Sequence, residues 1–139
     1  RQGIAITRWY TTSAVDACRK KVITAMQISD YEFGRIAVAD KTYTSDVIVA
    51  PEQVIDSWWR KQGHILQIED LDDIVNAKPD MLIIGTGYYG RMQVPDATKQ
   101  YLEEQGIKVL QAKTRDAVTE FNQLQKEYAR IVAALHLSC

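Results

Sequence analysis

Apolar and polar positions divide this chain into two halves with different rhythms. From 33 to 68 the apolar runs are short and closely punctuated. Phe33 to Val38 and Tyr43 to Val49 read as strands, with Ala39-Asp40-Lys41-Thr42 between them as a hairpin turn and Pro51 ending the second. Asp56 to Arg60 and His64 to Ile68 suggest a further strand pair broken at Gly63. From Asp70 onward helical and strand patterns alternate. Asp70 stands as N-cap of a short helix over 71–77 that Pro79 stops, and Met81 to Ile84 is continuously apolar, as a strand covered on both faces must be. Asp96 is placed to cap a helix carrying Ala97, Tyr101 and Leu102 on one side, with Gly106 as its C′ residue. Ile107 to Leu110 is the next strand. Thr114 then caps a longer helix whose Ala117, Phe121, Leu124 and Tyr128 recur at helical spacing, before a last apolar strand, Ile131 to Leu135. Such strand–helix–strand units predict parallel pairing through right-handed crossovers.

Length and composition add limits to this pattern. A chain of 139 residues, 46% hydrophobic and 25% charged, suits one domain with a real core. No apolar run reaches the ~18 residues of a membrane span. A net charge of −1 gives no global field to recruit nucleic acid. Cys18 and Cys139 lie far apart and outside any C-x-x-C pair, which speaks against a disulfide framework and for a reducing compartment. The charge is uneven: residues 1–25 hold Arg1, Arg8, Arg19, Lys20 and Lys21 against Asp16, while the rest is net acidic. The basic segment reads either as an appended or upstream-translated stretch before Met26, the reading preferred here, or as a transit-like leader. A helix over 14–26 would place Ala14, Ala17, Cys18 and Val22 on one side. The expected organisation is an N-terminal basic extension over 1–27 and a single α/β domain over 28–139. The expected compartment is the cytoplasm, or the mitochondrion if the basic segment is a leader.

The most inviting motif is MLIIGTGYYGRM at 81–92, where Gly85, Gly87 and Gly90 spell G-x-G-x-x-G after an apolar strand. A dinucleotide fingerprint also needs a helix opening within the glycines and an acidic residue about 20 positions on. Pro95-Asp96 puts the helix start too late, and nothing from Gln105 to Arg115 is acidic. No Gly-Lys-Ser/Thr makes a phosphate loop either. Two readings remain for Gly85-Thr86-Gly87: a tight turn packed on a neighbour, or a nest of N–H groups for an anion or small ligand. The second reading requires polar groups such as Thr86, Arg91 or Thr114 to converge on an open cleft.

Trp58-Trp59-Arg60 followed by Gly63-His64 is the most unusual local cluster. On a strand the two tryptophans face opposite ways, one into the core, the other with Arg60 as an interaction hot spot; the alternative is that both pack under neighbouring loops. His136 and Cys139 offer too few ligands for a metal, His64 being the only other histidine, and on one strand they would face apart. Nucleophilic catalysis by Cys139 would need a base and an orienting third group. Glu69, Asp70, Asp72 and Asp73 suit a helix start. From the residues, no metal site, cofactor or catalytic set is expected. A minor redox or metal role for His136 and Cys139 stays open.

Several features recur in one order: Phe33-Gly34, the Tyr43 to Val49 strand with Asp46, the WWR and GH cluster, the IIGTG turn, Val94-Pro95, Tyr101-Leu102 with Gly106-Ile107, Thr114 and Ala117 with Phe121-Asn122, and the terminal HLSC. Over residues 28–139 this order resembles the small domain family of unknown function that includes the adipogenesis-associated protein of vertebrates and, more distantly, a mitochondrial complex I assembly factor. The GYYGRM and WWRKQGH wording is most similar to prokaryotic members. The resemblance implies a three-layer α/β domain with a mixed β core flanked by helices, and no established activity or cofactor. It also implies action through protein contacts. The expected function is therefore a non-enzymatic interaction or assembly-factor-like module with an unidentified protein partner, no nucleic acid and no integral membrane segment, and with self-association left open. Its interaction surface is expected at Trp58, Trp59, Arg60 and His64. The alternative is a small-molecule or anion-binding protein, enzymatic or not, using Gly85, Thr86 and Gly87.

Overall fold

In a computed structural model the described residues are 26–139. The basic segment and the expected helix over 14–26 thus lie outside the described residues, save Met26. The first strands are β1 (Ile28–Glu32), β2 (Arg35–Val38) and β3 (Lys41–Tyr43), which form an antiparallel sheet in that order. The turn between β2 and β3 is tighter than the expected four residues. Val38 pairs with Lys41, so Ala39 and Asp40 alone make the turn, at φ 49° and 69°. Two positive φ values match the twist of a two-residue hairpin. The expected strand over 43–49 is two elements, because the chain leaves this sheet at Tyr43 and enters another at β4 (Val47–Val49).

The larger sheet contains β4, β5 (Val54–Ile55), β6 (Met81–Gly85), β7 (Lys108–Ala112) and β8 (Ile131–Leu135) in the order β5-β4-β8-β6-β7. β6 pairs in parallel with both β7 and β8, while β4 runs antiparallel to β8. The parallel core matches the alternating helix–strand rhythm. Its connections are α2 (Asp96–Glu104) and α3 (Thr114–Leu124). Gly106, at φ 81°, ends α2 just beyond Gln105.

Alternate residues of the central strands feed two cores. On one face Val47, Val49, Met81, Ile83, Ala133 and Leu135 pack with Ala117 and Phe121 of α3 and with Ile28, Tyr31, Ile36 and Val38 of the small sheet. On the other, Ile48, Leu82, Ile84, Val132 and Ala134 pack with Leu102 of α2 and Ile74 of the short helix α1 (Asp72–Asn76). Every residue of β6 and β8 is buried, which is why both read as unbroken apolar runs. The result is a mixed α/β fold with the large sheet as its middle layer.

Three local readings are corrected. Segments 56–60 and 64–68 form no strands. The chain there makes only isolated bridges, Gln62 with Ile65 and Ile65 with Gln93, since its N–H groups bond into loops (Trp58 N to Asp46 O, Leu66 N to Gln93 O). Asp70 lies within a 3-10 turn over Ile68–Leu71, before α1, where its carboxylate accepts from the N–H groups of Gln67 and Lys61 at 2.9 and 3.0 Å. Asp96 and Thr114 are the first residues of their helices, behind Pro95 and Lys113, and Thr114 turns its hydroxyl inward.

Candidate functional site

The carboxyl ends of parallel strands are where α/β sheets usually bind ligands. Two groups of residues meet there: the glycine turn after β6, and a polar cluster around the residues after β8.

The glycine turn is closed. Thr86 N bonds Ala112 O at 2.9 Å, Gly87 N bonds Thr114 Oγ1 at 2.8 Å, and Gly90 N bonds Gly87 O at 3.2 Å. Thr86 and Thr114 are buried and Arg91 is exposed, so the three do not converge on a cleft. A Cβ on Gly85 would stand 2.8 Å from Thr114 Oγ1, and one on Gly87 would stand 2.7 Å from Ser138 O. Gly87 also sits at φ 109°. These glycines permit close approach of α3 and the C-terminal segment. The anion-nest reading loses its donors to the fold itself.

The polar cluster follows from sheet register. Val47 pairs with Leu135 in the antiparallel β4–β8 ladder, so Asp46 and His136 stand opposite each other one step further. His136 is 6% exposed, and its backbone is fixed on both sides, its N–H by Gly85 O at 3.0 Å and its C=O by the Thr114 hydroxyl at 2.6 Å. Its Nδ1 lies 2.8 Å from Asp46 Oδ2, and the other carboxylate oxygen accepts from Leu137 N at 2.8 Å. Arg60 reaches the same Oδ2 through Nη2 at 2.7 Å, while its Nε and Nη2 donate to Gly63 O. The guanidinium also lies over the Trp58 ring, 4.8 Å from its centroid. Arg60 Nη2 and His136 Nδ1 are 3.1 Å apart; both are donors here, and the shared acceptor Oδ2 draws them together.

Burial alone pushes the Asp46 carboxyl up, and that is the largest single influence. The bonds from His136, Leu137 N–H and Arg60 together outweigh it and hold the group below the usual carboxylate range. With Nδ1 engaged by Asp46, the other ring nitrogen, Nε2, is buried and has no hydrogen-bond partner. His64 lies edge-on to it, ring centroids 5.7 Å apart. One ring nitrogen from each histidine and the Cys139 thiol all fall within 4.8 Å of one another. The expectation that 136 and 139 face apart is therefore wrong. β8 ends at Leu135, and the following segment bends under the bonds from Gly34 N to Leu137 O and from Arg91 N to Cys139 O.

The aromatic surface also differs from expectation. Trp58 and Arg60 are buried, at 6% and 7% exposure, so neither presents an open face to solvent, although Trp58 contributes to the wall of the groove beside Trp59. Trp59 is 76% exposed and borders a groove with Glu69, Asp70, Asp72 and Asp73. His64 is exposed. A second aromatic group lay beyond sequence reasoning: Phe33 meets Tyr88 and Tyr89 from far along the chain, with centroids 5.0 to 6.1 Å apart and Tyr88 edge-on to both of the others.

Residues 28–136 match the family described as "Protein of unknown function (DUF498/DUF598)", and the chain belongs to that family. Its fold is similar to that of a conserved hypothetical protein from Pyrococcus horikoshii, at 24% identity, with a TM-score of 0.70 over 82% of this chain and all of that one. A protein from Bordetella parapertussis is 25% identical, with a TM-score of 0.68 over 81% of this chain and 95% of that one. A Bordetella pertussis protein described as a Mth938-like domain is 19% identical, with a TM-score of 0.60 over 94% and 92%. These likenesses are of fold. Among the described residues no helix is long and apolar enough to cross a membrane.

Proposed function

We propose that this family member is a protein-interaction module, of the kind that serves assembly, and that it takes a basic segment of its partner at Trp59. The observation that carries the reading is the exposure of Trp59, at 76%, on a groove where the carboxylates of Glu69, Asp70, Asp72 and Asp73 outnumber the one cation of its lining, Lys61. A large aromatic left in water beside carboxylates suits a Lys or Arg side chain, which would stack its cation on the indole and pair with the acids. Asp70 is partly occupied by its bonds to Gln67 and Lys61, which leaves Glu69, Asp72 and Asp73 to face the partner. Exposed aromatic–acidic grooves gain specificity from charge complementarity more than from area.

The test is fluorescence anisotropy of the chain with labelled peptides graded from strongly acidic to strongly basic. The reading expects basic peptides to bind best and the preference to fade with salt. Trp59→Ala and Asp72→Lys/Asp73→Lys should each weaken binding at least tenfold, whereas Tyr89→Ala, in the other aromatic group, should leave it unchanged. Equal binding by wild type and Trp59→Ala, or no dependence on peptide charge, would refute it.

A further inference from the structure

We infer that His64, His136 and Cys139 form a binding site for a single borderline-soft divalent cation of the zinc type. The three ligand atoms come from separate parts of the chain, the 61–64 loop and the segment after β8, yet lie within 4.8 Å of one another. Two imidazoles and a thiolate are a ligand set suited to such a cation and unsuited to magnesium or calcium. Bonds of 2.0–2.3 Å to one ion require ligand atoms roughly 3.3–3.8 Å apart, so the set must close by about an ångström. His64 is exposed and Cys139 half-exposed, so both side chains can make that adjustment.

The second observation is His136 itself. It is 6% exposed, and Nε2 is buried without a hydrogen-bond partner. A buried polar atom left unpaired costs free energy unless something binds it. Its orientation is fixed by Asp46 at Nδ1, which is the arrangement of metal-ligating histidines, a carboxylate behind the ring setting the tautomer and raising the basicity of the other nitrogen. Cδ2, the carbon next to Nε2, is the ring atom that a Cβ on Gly87 would strike at 2.9 Å. Gly87 thus leaves the Nε2 edge of the ring uncrowded.

The Arg60 guanidinium touches the cluster, but it approaches His136 at the Nδ1 edge and is paired with Asp46. A Cys139 thiolate adds the negative charge that a divalent ion requires. Three protein ligands would leave a fourth position for water or a small molecule, the pattern of an open rather than a closed zinc site.

The experiment titrates the full 139-residue chain with Co2+, followed by absorbance, and with Zn2+, followed by calorimetry. One equivalent should bind, with a sulfur-to-cobalt charge-transfer band and the visible bands of a four-coordinate ion. Cys139→Ser should abolish the charge-transfer band, and His64→Ala, at an exposed position, should weaken Zn2+ binding at least tenfold without unfolding the chain. Bound Zn2+ should also slow alkylation of Cys139 by iodoacetamide at least tenfold. Absence of the charge-transfer band, unchanged affinity in His64→Ala, or equal alkylation with and without Zn2+ would each overturn the site. Fast alkylation that depends on His136 and ignores Zn2+ would mark a thiol–imidazole pair instead, and would also overturn it.

Discussion

The glycine turn after β6 and the cluster after β8 lie side by side at the carboxyl ends of two adjacent central strands, yet they use their polar groups in opposite ways. Thr86, Gly87 and Gly90 direct their N–H groups to Ala112 O, Thr114 Oγ1 and Gly87 O, inside the fold. The cluster satisfies Asp46 fully but leaves His136 Nε2 and Arg60 Nη1 buried and unpaired. A motif that looks like a ligand loop is here a packing device, while residues with no motif keep free valences. Open chemistry follows unsatisfied groups, not glycine spacing.

Removing the carboxylate that organises the cluster should have the largest effect. Asp46→Ala strands Arg60 in a buried setting and frees His136 and Leu137 N–H, so it should cost about 3–5 kcal/mol. Urea unfolding at neutral pH reads this directly, and a loss below about 1 kcal/mol would mean that the cluster is not held by its ion pair. Gly87→Ala comes next. The left-handed backbone costs roughly 1–2 kcal/mol for a residue with a Cβ, and the contact with Ser138 O adds roughly 1–3 through overpacking. Gly63→Ala is the control: nothing lies within 4 Å of its Cβ position, so its unfolding midpoint should stay near that of the wild type. If both glycines tolerate alanine equally, the turn is not the packing device described.

Sequence made part of this legible and hid the rest for definable reasons. β6 and β8 could be read because burial on both faces leaves an unbroken apolar run, and α2 and α3 because their apolar positions recur at helical spacing. β1 was missed: Ile28-Ser29-Asp30-Tyr31-Glu32 buries only Ile28 and Tyr31 and carries two acids. The 56–68 segment was misread because Trp58 and Leu66 reach the core from loops, where strand periodicity means nothing. The Asp46–His136 pair joins residues 90 apart, and no local pattern reports a partner at that distance. The available signal was a carboxylate directly before the buried Val47-Ile48-Val49 run, a place where a charge needs a partner. That Trp58 and Trp59 differ in exposure was legible, but Arg60 went inward because its acceptors, Asp46 and Gly63 O, are inside.

Protonation tests the same cluster more gently than substitution, because it leaves the atoms of Asp46 in place. The folded-state pKa of Asp46 lies below that of an unfolded carboxyl, so its contribution is present above about pH 4 and is lost as pH falls through the lower folded value. Tyr31 gives the alkaline counterpart. Burial, the largest influence, pushes its pKa up to about 12. The proton is held longer in the folded state, so this contribution is complete below about pH 10 and is lost as pH rises through about 12. Urea midpoints measured from pH 2 to 12 should fall at both ends. Asp46→Asn should flatten the acid limb and Tyr31→Phe the alkaline one, and an acid limb unchanged in Asp46→Asn would assign acid sensitivity to other carboxylates.

The smallest expected effect on stability belongs to Trp59→Ala, and its smallness is what makes it informative. An indole 76% exposed has given up little water on folding, and surface substitutions away from caps and networks fall within about ±0.5 kcal/mol. Its neighbour supplies the contrast. Trp58, at 6% exposure, packs with Leu66, Leu71 and Ile74 and lies under Arg60, so Trp58→Ala should cost about 3–5 kcal/mol. Denaturation of the two variants side by side would separate the roles of adjacent, chemically identical residues. If Trp59→Ala proves as damaging as Trp58→Ala, the second indole belongs to the core and the basic-segment groove loses its centre. If it is neutral, a tryptophan that contributes nothing to folding has its use outside the fold, and any loss of peptide binding in that variant is a loss of contact and not of structure.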